Sequence, residues 1–301
     1  MIRKLNSFFF DPVPVSGVAR MRILIGLILV IQTLTLLPAL DDFFGPGAFV
    51  TPSSMFGPGS PHIRLIEWWG GGALAVRMVF GIHLIASLSF LAGFFTRTSG
   101  VIAYLTLVSI HHQNLTILNS GDTALRFALF FLILAPSGAL WSIDARNHHR
   151  KNSGSDQTPS IPKHAPWALR MIQLQTSAIY LFTSLSKVPG QTWFDGTAVY
   201  YATRLWDFER FGIDPLFNSM AALKILSWTT LALEFALGTL IWIPKLRIPL
   251  ILCGIGFHLG IEFTMNIPWF EWVMITLLIG MWPTNRTFFP LMSRRTKSAQ
   301  S

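Results

Sequence analysis

Apolar runs long enough to cross a bilayer recur along this chain, and that repetition restricts its fold more than any other feature. A helix rises about 1.5 Å per residue, so roughly 20 apolar residues cover about 30 Å of hydrocarbon. Candidate runs fall at about 21–40, 73–95, 99–113, 123–141, 167–187, 217–243, 247–266 and 268–284. They predict an all-α fold, a polytopic transmembrane helical bundle of about eight spans forming one membrane domain over residues 1–301. Of the residues, 51% are hydrophobic and 12% charged, against roughly 25% charged in an average soluble domain. A soluble enzyme does not fit that balance. Cys253 is the only cysteine, which removes internal disulfides, a four-cysteine zinc site and any CxxC redox pair.

The formal charge of +9 would suggest nucleic acid if the cations were clustered at random. They alternate instead with the predicted spans. Sixteen of the 23 Lys and Arg fall on one side, among them Arg3, Lys4, Arg20, Arg22, Arg97, Arg146, Arg150, Lys163, Arg170, Lys245, Arg247, Arg286 and Arg294. Arg64, Lys187, Arg204 and Arg210 fall on the other, while Arg77, Arg126 and Lys224 lie within spans near that second side. Cytoplasmic loops are enriched in Lys and Arg. The pattern predicts both termini in the cytoplasm, in a bacterial inner (plasma) membrane or its equivalent, with the lipid bilayer as partner and no nucleic acid. Pro12 and Pro14 interrupt the N-terminal region, so the first apolar run is expected to stay attached rather than be cleaved. Residues 147–166, with Asn152-Ser153-Gly154-Ser155 and several prolines, predict a flexible cytoplasmic linker between two four-helix halves. The long outer connections, about 41–72 and 188–216, are rich in Gly, Pro and aromatic residues and direct the search for a site to that face.

Gln173, Thr176, Tyr180, Thr183 and Lys187 follow a 3-4-3-4 spacing, which puts them on one helical face of the fifth span. A polar face cannot rest comfortably on lipid, so Lys187 is expected to point inward at the outer end; snorkelling to the interface is the alternative. The aromatic turn Trp193-Phe194-Asp195-Gly196 can cover its ammonium. A desolvated lysine near other cations can serve as a base toward a phenol or hydroquinone. On the seventh span Gly254, His258, Glu262 and Asn266 recur every fourth residue. That ridge can line a headgroup pocket, or it can be a packed interface in which His258 and Glu262 satisfy one another and Gly256-xxx-Gly260 lets a helix approach. Asp122 and Arg126, one turn apart, are expected to pair. His111-His112-Gln113-Asn114 offers imidazoles that can shuttle a proton or cap a helix. Two ligands without a third make a metal site unexpected. Trp68, Trp69, Trp167, Trp269 and Trp272 sit where an interfacial belt places them. Hydrolase, zincin, P-loop and dinucleotide motifs are absent.

Through Ile179-Tyr180-Leu181-Phe182, Ser186-Lys187, Trp193-Phe194-Asp195-Gly196 and Phe257-His258, the sequence resembles the membrane domain of the vitamin K-dependent gamma-carboxylase family, called the HTTM domain in bacterial relatives. The likeness is strongest over about 176–275. It implies a single HTTM-like membrane domain and a chemistry in which a lysine deprotonates a reduced quinone (menaquinone or vitamin K hydroquinone-like), with O2 and CO2 as co-substrates. It also implies Lys187 as the base and His112 as the residue that steadies the quinone's other oxygen. The family's carboxylating members carry a large extramembrane domain that grips a protein substrate, whereas about 17 residues follow the last span here, so peptide glutamate carboxylation is not expected. The family's two adjacent lysines are replaced by Ser186-Lys187.

Two functions follow from these readings. One is a quinol-dependent carboxylase-like or oxidoreductase-like enzyme, with Lys187 and His112 catalytic and with Tyr180, Arg126, Trp193, His258, Glu262 and Asn266 holding an isoprenoid quinone; a protein substrate or partner is compatible with it. The other is a non-enzymatic membrane scaffold or a carrier of small apolar molecules. Convergence separates them: an enzyme needs Lys187 and a second polar group around one cavity, while a scaffold pairs its polar groups off separately.

Overall fold

The computed structural model describes residues 2–50, 62–151, 161–211 and 219–284. Eight helices form the bundle: α1 Ser16–Leu36, α2 Ala73–Ala92, α3 Thr96–Gln113, α4 Ser120–Leu134, α5 Trp167–Lys187, α6 Met220–Thr239, α7 Pro244–Thr264 and α8 Phe270–Gly280. Each coincides with one of the apolar runs. Among the described residues, four are long and apolar enough to cross a membrane: α1 with its continuation to Phe44, α2, α6 with its continuation to Trp242, and α7. The other four are shorter or more polar; α8 is apolar but has only 11 residues.

Local chemistry sets several helix starts. Asn119 caps α4 by accepting from Gly121 N at 2.8 Å, while Asp122 accepts from Asn119 N at 2.8 Å, a reciprocal capping box. Asp144 does the same for α3 from a distance in sequence, accepting from Phe95 N at 3.0 Å and Thr96 N at 2.8 Å. Gly93, at φ +68°, makes the left-handed turn that ends α2, a conformation that costs glycine little.

The main core joins α1 (Met21, Ile25, Leu29), α4 (Leu125, Leu129, Leu132), α5 (Leu169, Ile172) and α8 (Val273, Leu277, Leu278). Because α8 packs against α1, α4, α5 and α7, the two four-helix halves share one interior. A smaller cluster of Phe44, Ile66, Val76, Val79, Phe80 and Ile110 closes the end of the first half away from Arg22. Close helix approach depends on Gly26, where a Cβ would lie 2.8 Å from Leu91 Cα, and on Gly238, where it would lie 2.7 Å from Leu181 N. The expected Gly256-xxx-Gly260 contact is not made: a Cβ at either position meets nothing within 4 Å. Those glycines face away from the bundle, and Gly254 is the one packed, against Leu278 and Leu237.

The basic end of the bundle is closely tied together. Arg22 is fully buried and donates to the carbonyls of Ser137 (2.8 Å), Leu140 (3.2 Å) and Trp141 (2.5 Å), and Arg20 reaches Trp282 O at 3.4 Å. Val13–Pro14 (β1) pairs antiparallel with Lys163–His164 (β2), Val13 opposite His164. The segment expected as a flexible linker is thus structured at both described ends, in a helix over Ile143–Lys151 and in β2; residues 152–160 lie outside the described residues. So do residues 51–61 and 212–218 of the outer connections and the C-terminal cations Arg286, Arg294, Arg295 and Lys297. His164 approaches Val13 O at 3.3 Å, and burial pushes its imidazole pKa below the ordinary value.

Candidate functional site

A cavity of about 320 Å3 opens at the end of the first half away from Arg22, bounded by α1 to α4 and by Pro268 and Trp269 ahead of α8. Its walls are mostly apolar, with Leu36, Phe43, Phe80, Leu107 and Ile110 among them. Two threonines, Thr33 and Thr35, and four more strongly polar side chains interrupt them: Gln32, His83, His111 and Asp122. Asp122 is held by two donors, Gln32 Nε2 at 3.0 Å and Asn119 N at 2.8 Å, and its Oδ1 stands 3.8 Å from His111 Nε2. His83 Nδ1 lies 2.8 Å from Thr106 Oγ1; since that hydroxyl donates to Ile102 O, His83 Nδ1 is the donor and its Nε2 is left as acceptor. Gln32 Oε1 and His111 Nδ1 are buried and make no hydrogen bond. Buried polar atoms are nearly always paired in folded proteins, so two unpaired ones beside a cavity suit a ligand with a polar group on an apolar body.

The second half arranges its polar groups differently. Lys187 at the end of α5 forms an ion pair with Glu234 of α6, and its ammonium lies 4.9 Å from the centre of the Trp193 ring. The aromatic turn therefore covers the lysine as its sequence suggests, and Trp228 Nε1 fixes that turn by donating to Phe194 O at 3.3 Å. Deeper in the same half, His258 Nδ1 is bonded to Glu271 and Tyr180 Oη meets His258 Nε2 at 2.6 Å. A carboxylate can only accept, so His258 Nδ1 donates and its Nε2 takes the tyrosine proton. Glu271 is fully buried. Glu234 Oε2 and Glu271 Oε1 are buried without a hydrogen-bond partner.

The expected polar face of α5 is present: Gln173, Thr176 and Tyr180 are buried, and Thr183 and Lys187 are half-buried. The α7 ridge divides. His258 turns to Tyr180 and Glu271, whereas Glu262 and Asn266 accept from Arg210 at 2.8 and 2.9 Å, so the His258–Glu262 partnership is replaced by two separate ones. Asp122 likewise engages Gln32 and Asn119, while Arg126 donates to Thr123 Oγ1 at 3.3 Å. Of the double histidine, His111 lines the cavity; His112 accepts from Ile63 N at 3.3 Å and its ring stands 5.2 Å from that of His62. Adjacent helical residues point about 100° apart, and sequence alone could not choose between the two. Lys187, Tyr180 and Trp193 are not among the residues lining the outer cavity. Sequence reasoning passed over Gln32, Glu234 and Glu271. Each is a lone polar residue in an apolar run, an intramembrane signal in its own right.

Comparison with known proteins follows the same line. The HTTM domain family model matches residues 10–284. Sporulation-delaying protein SdpB from Bacillus subtilis (strain 168) is 28% identical over 212 residues, covering 67% of this chain and 61% of that protein. The matched region thus spans less than two thirds of the relative's own length. No solved structure matches.

Proposed function

The chain belongs to the HTTM domain family, and on that premise we propose that it is an integral-membrane, quinol-dependent enzyme of carboxylase-like or oxidoreductase-like type whose ligand occupies the outer cavity. The observation that carries this reading is the pair of buried, unpartnered atoms, His111 Nδ1 and Gln32 Oε1, beside an apolar space of about 320 Å3, within the roughly 300–1,000 Å3 typical of ligand sites. A reduced isoprenoid quinone, when bound, supplies two electrons and two phenolic protons on an apolar ring, with O2 and CO2 as candidate co-substrates. Gln32 and His111 bind and orient the hydroxyl edge. His111 accepts or passes on a proton, and Asp122, 3.8 Å from it, stabilises the imidazolium that results. The apolar walls exclude water.

Lys187, the general base that the family resemblance assigns, does not line that cavity; it is paired with Glu234 beside Trp193, so its part in this proposal is to draw a proton from the site at a distance rather than to touch the bound ring. To serve as a base Lys187 must first give up its own proton, which this proposal sends through Glu234 to the outer side. A bacterial inner membrane with cytoplasmic termini is part of the same proposal, supported by the asymmetry of Lys and Arg. The test is native mass spectrometry of protein extracted from its own membrane. A retained isoprenoid quinone, lost in His111→Leu and Gln32→Leu, is the expected result; extraction without any quinone sinks the reading. Lys187→Ala should abolish oxygen-dependent quinol turnover, and unchanged turnover removes Lys187 as the base. The non-enzymatic reading, a scaffold or a carrier of small apolar molecules, draws support from one observation: Lys187, His258 and Arg210 each have separate partners in the second half.

A further inference from the structure

At the opposite, basic end of the bundle we propose a second site, independent of the outer cavity, that binds a phosphate group at headgroup depth. A pocket of about 420 Å3 with mixed polar and apolar walls lies between the starts of α5 and α7 and the segments 12–14 and 281–284. Its lining includes Lys163, Arg170 and Arg247 and, among the described residues, no carboxylate. None of the three cations forms an ion pair among the described residues. Arg170 and Arg247 line the same pocket and lie within electrostatic range of one another, so two like charges share it with no counter-ion among the described residues.

Hydrogen bonds fix both guanidiniums while leaving a donor group on each. Arg170 uses Nε on Phe8 O at 3.2 Å and Nη1 on Gln173 Oε1 at 2.8 Å, with the Phe8 ring 4.6 Å from its central carbon. Arg247 uses Nε on Ile241 O at 3.1 Å and Nη2 on Trp242 O at 3.3 Å. Among the described residues, Arg170 Nη2, Arg247 Nη1 and Lys163 Nζ make no hydrogen bond. Guanidinium forks match the oxygens of phosphate, and a lysine adds a mobile point charge. Trp242 and Trp282 stand at this level, as interfacial tryptophans do. Basic pockets between helices on the cytoplasmic side take the headgroups of anionic lipids, so an anionic phospholipid is one source of the phosphate and free inorganic phosphate is the other.

The full chain is tested by thermal unfolding in nanodiscs of phosphatidylcholine with and without phosphatidylglycerol, and in neutral detergent with and without inorganic phosphate. Ligand binding to the folded state raises Tm, here by roughly 3 °C. A rise confined to phosphatidylglycerol identifies the lipid as the source; a rise with inorganic phosphate in detergent identifies the free anion. Both rises should vanish in Arg247→Gln and shrink in Lys163→Gln. The second variant alters an exposed side chain without hydrogen bonds, so it keeps the fold if the first does not. No rise under either condition, or the same rise in Lys163→Gln as in the native chain, overturns the site.

Discussion

The first four helices and the last four bury similar polar groups in opposite circumstances. Gln32, His83, His111 and Asp122 surround a cavity, and two of their atoms lack partners. Lys187, Glu234, Tyr180, His258 and Glu271 instead contact one another, and although Glu234 Oε2 and Glu271 Oε1 also lack partners, neither residue lines either of the two cavities. A buried polar group that is satisfied by a neighbour belongs to the fold, whereas one left unsatisfied beside open space is available to a ligand. The contrast supports the proposed binding in the first half and internal cohesion in the second, and it can be attacked by making equal substitutions in both.

The largest effect is expected at His258. His258→Leu strands the buried Tyr180 hydroxyl and Glu271 carboxylate and should cost about 3 kcal/mol of stability, read as a lowered Tm in detergent. The matching change, His111→Leu, removes an imidazole with an unpaired nitrogen, so stability should move by less than about 1 kcal/mol. Quinol affinity in that variant should fall roughly tenfold to a hundredfold, measured by equilibrium binding. Equal destabilisation by the two substitutions would break the comparison.

Next comes backbone proximity. Gly26→Val and Gly238→Val force a side chain against Leu91 and Leu181, and each should lose about 1–3 kcal/mol. Gly256→Val, in open space, should leave Tm unchanged. Glu234→Gln, which keeps shape but removes the charge opposite Lys187, should cost about 1–2 kcal/mol, since the lysine side chain is 21% exposed and partly hydrated. The smallest effect concerns pH. His164 has a folded-state pKa below its ordinary 6.5, so its contribution is complete above that value. It is lost as pH falls through 6.5 toward the folded value, because the unfolded chain takes up the proton first. Under about 1 kcal/mol is involved, and replacing His164 with Asn should flatten that part of a Tm-against-pH curve.

The eight helices were legible because length and apolarity are local properties of a run, readable one segment at a time. The inward face of α5 was legible for a similar reason: a 3-4 spacing fixes the angle about a single axis. Pairings were not. Lys187 finds Glu234 47 residues away and His258 finds Glu271 across a turn, and nothing along one helix states which neighbour it will meet. The ridge His258–Glu262–Asn266 shows the limit well. Its four-residue repeat is continuous, yet a repeat of four drifts about 40° per step on a helix of 3.6 residues per turn, enough to send His258 inward and Glu262 toward Arg210. The glycines mislead in the same way, since a small-xxx-small pattern describes what could pack closely and not what stands opposite.

Arg22 imposes an order on biogenesis. Its guanidinium sits in the opening helix, but the three carbonyls that receive it lie beyond the fourth. A nascent chain leaving the insertion machinery therefore carries an uncompensated cation through the emergence of more than a hundred residues. The apolar terminal helix, which packs against both the first and the fourth, arrives later still. Truncations removing α8 are therefore expected to be recognised by membrane quality-control proteases rather than accumulate, as pulse-chase of the truncated chain would show.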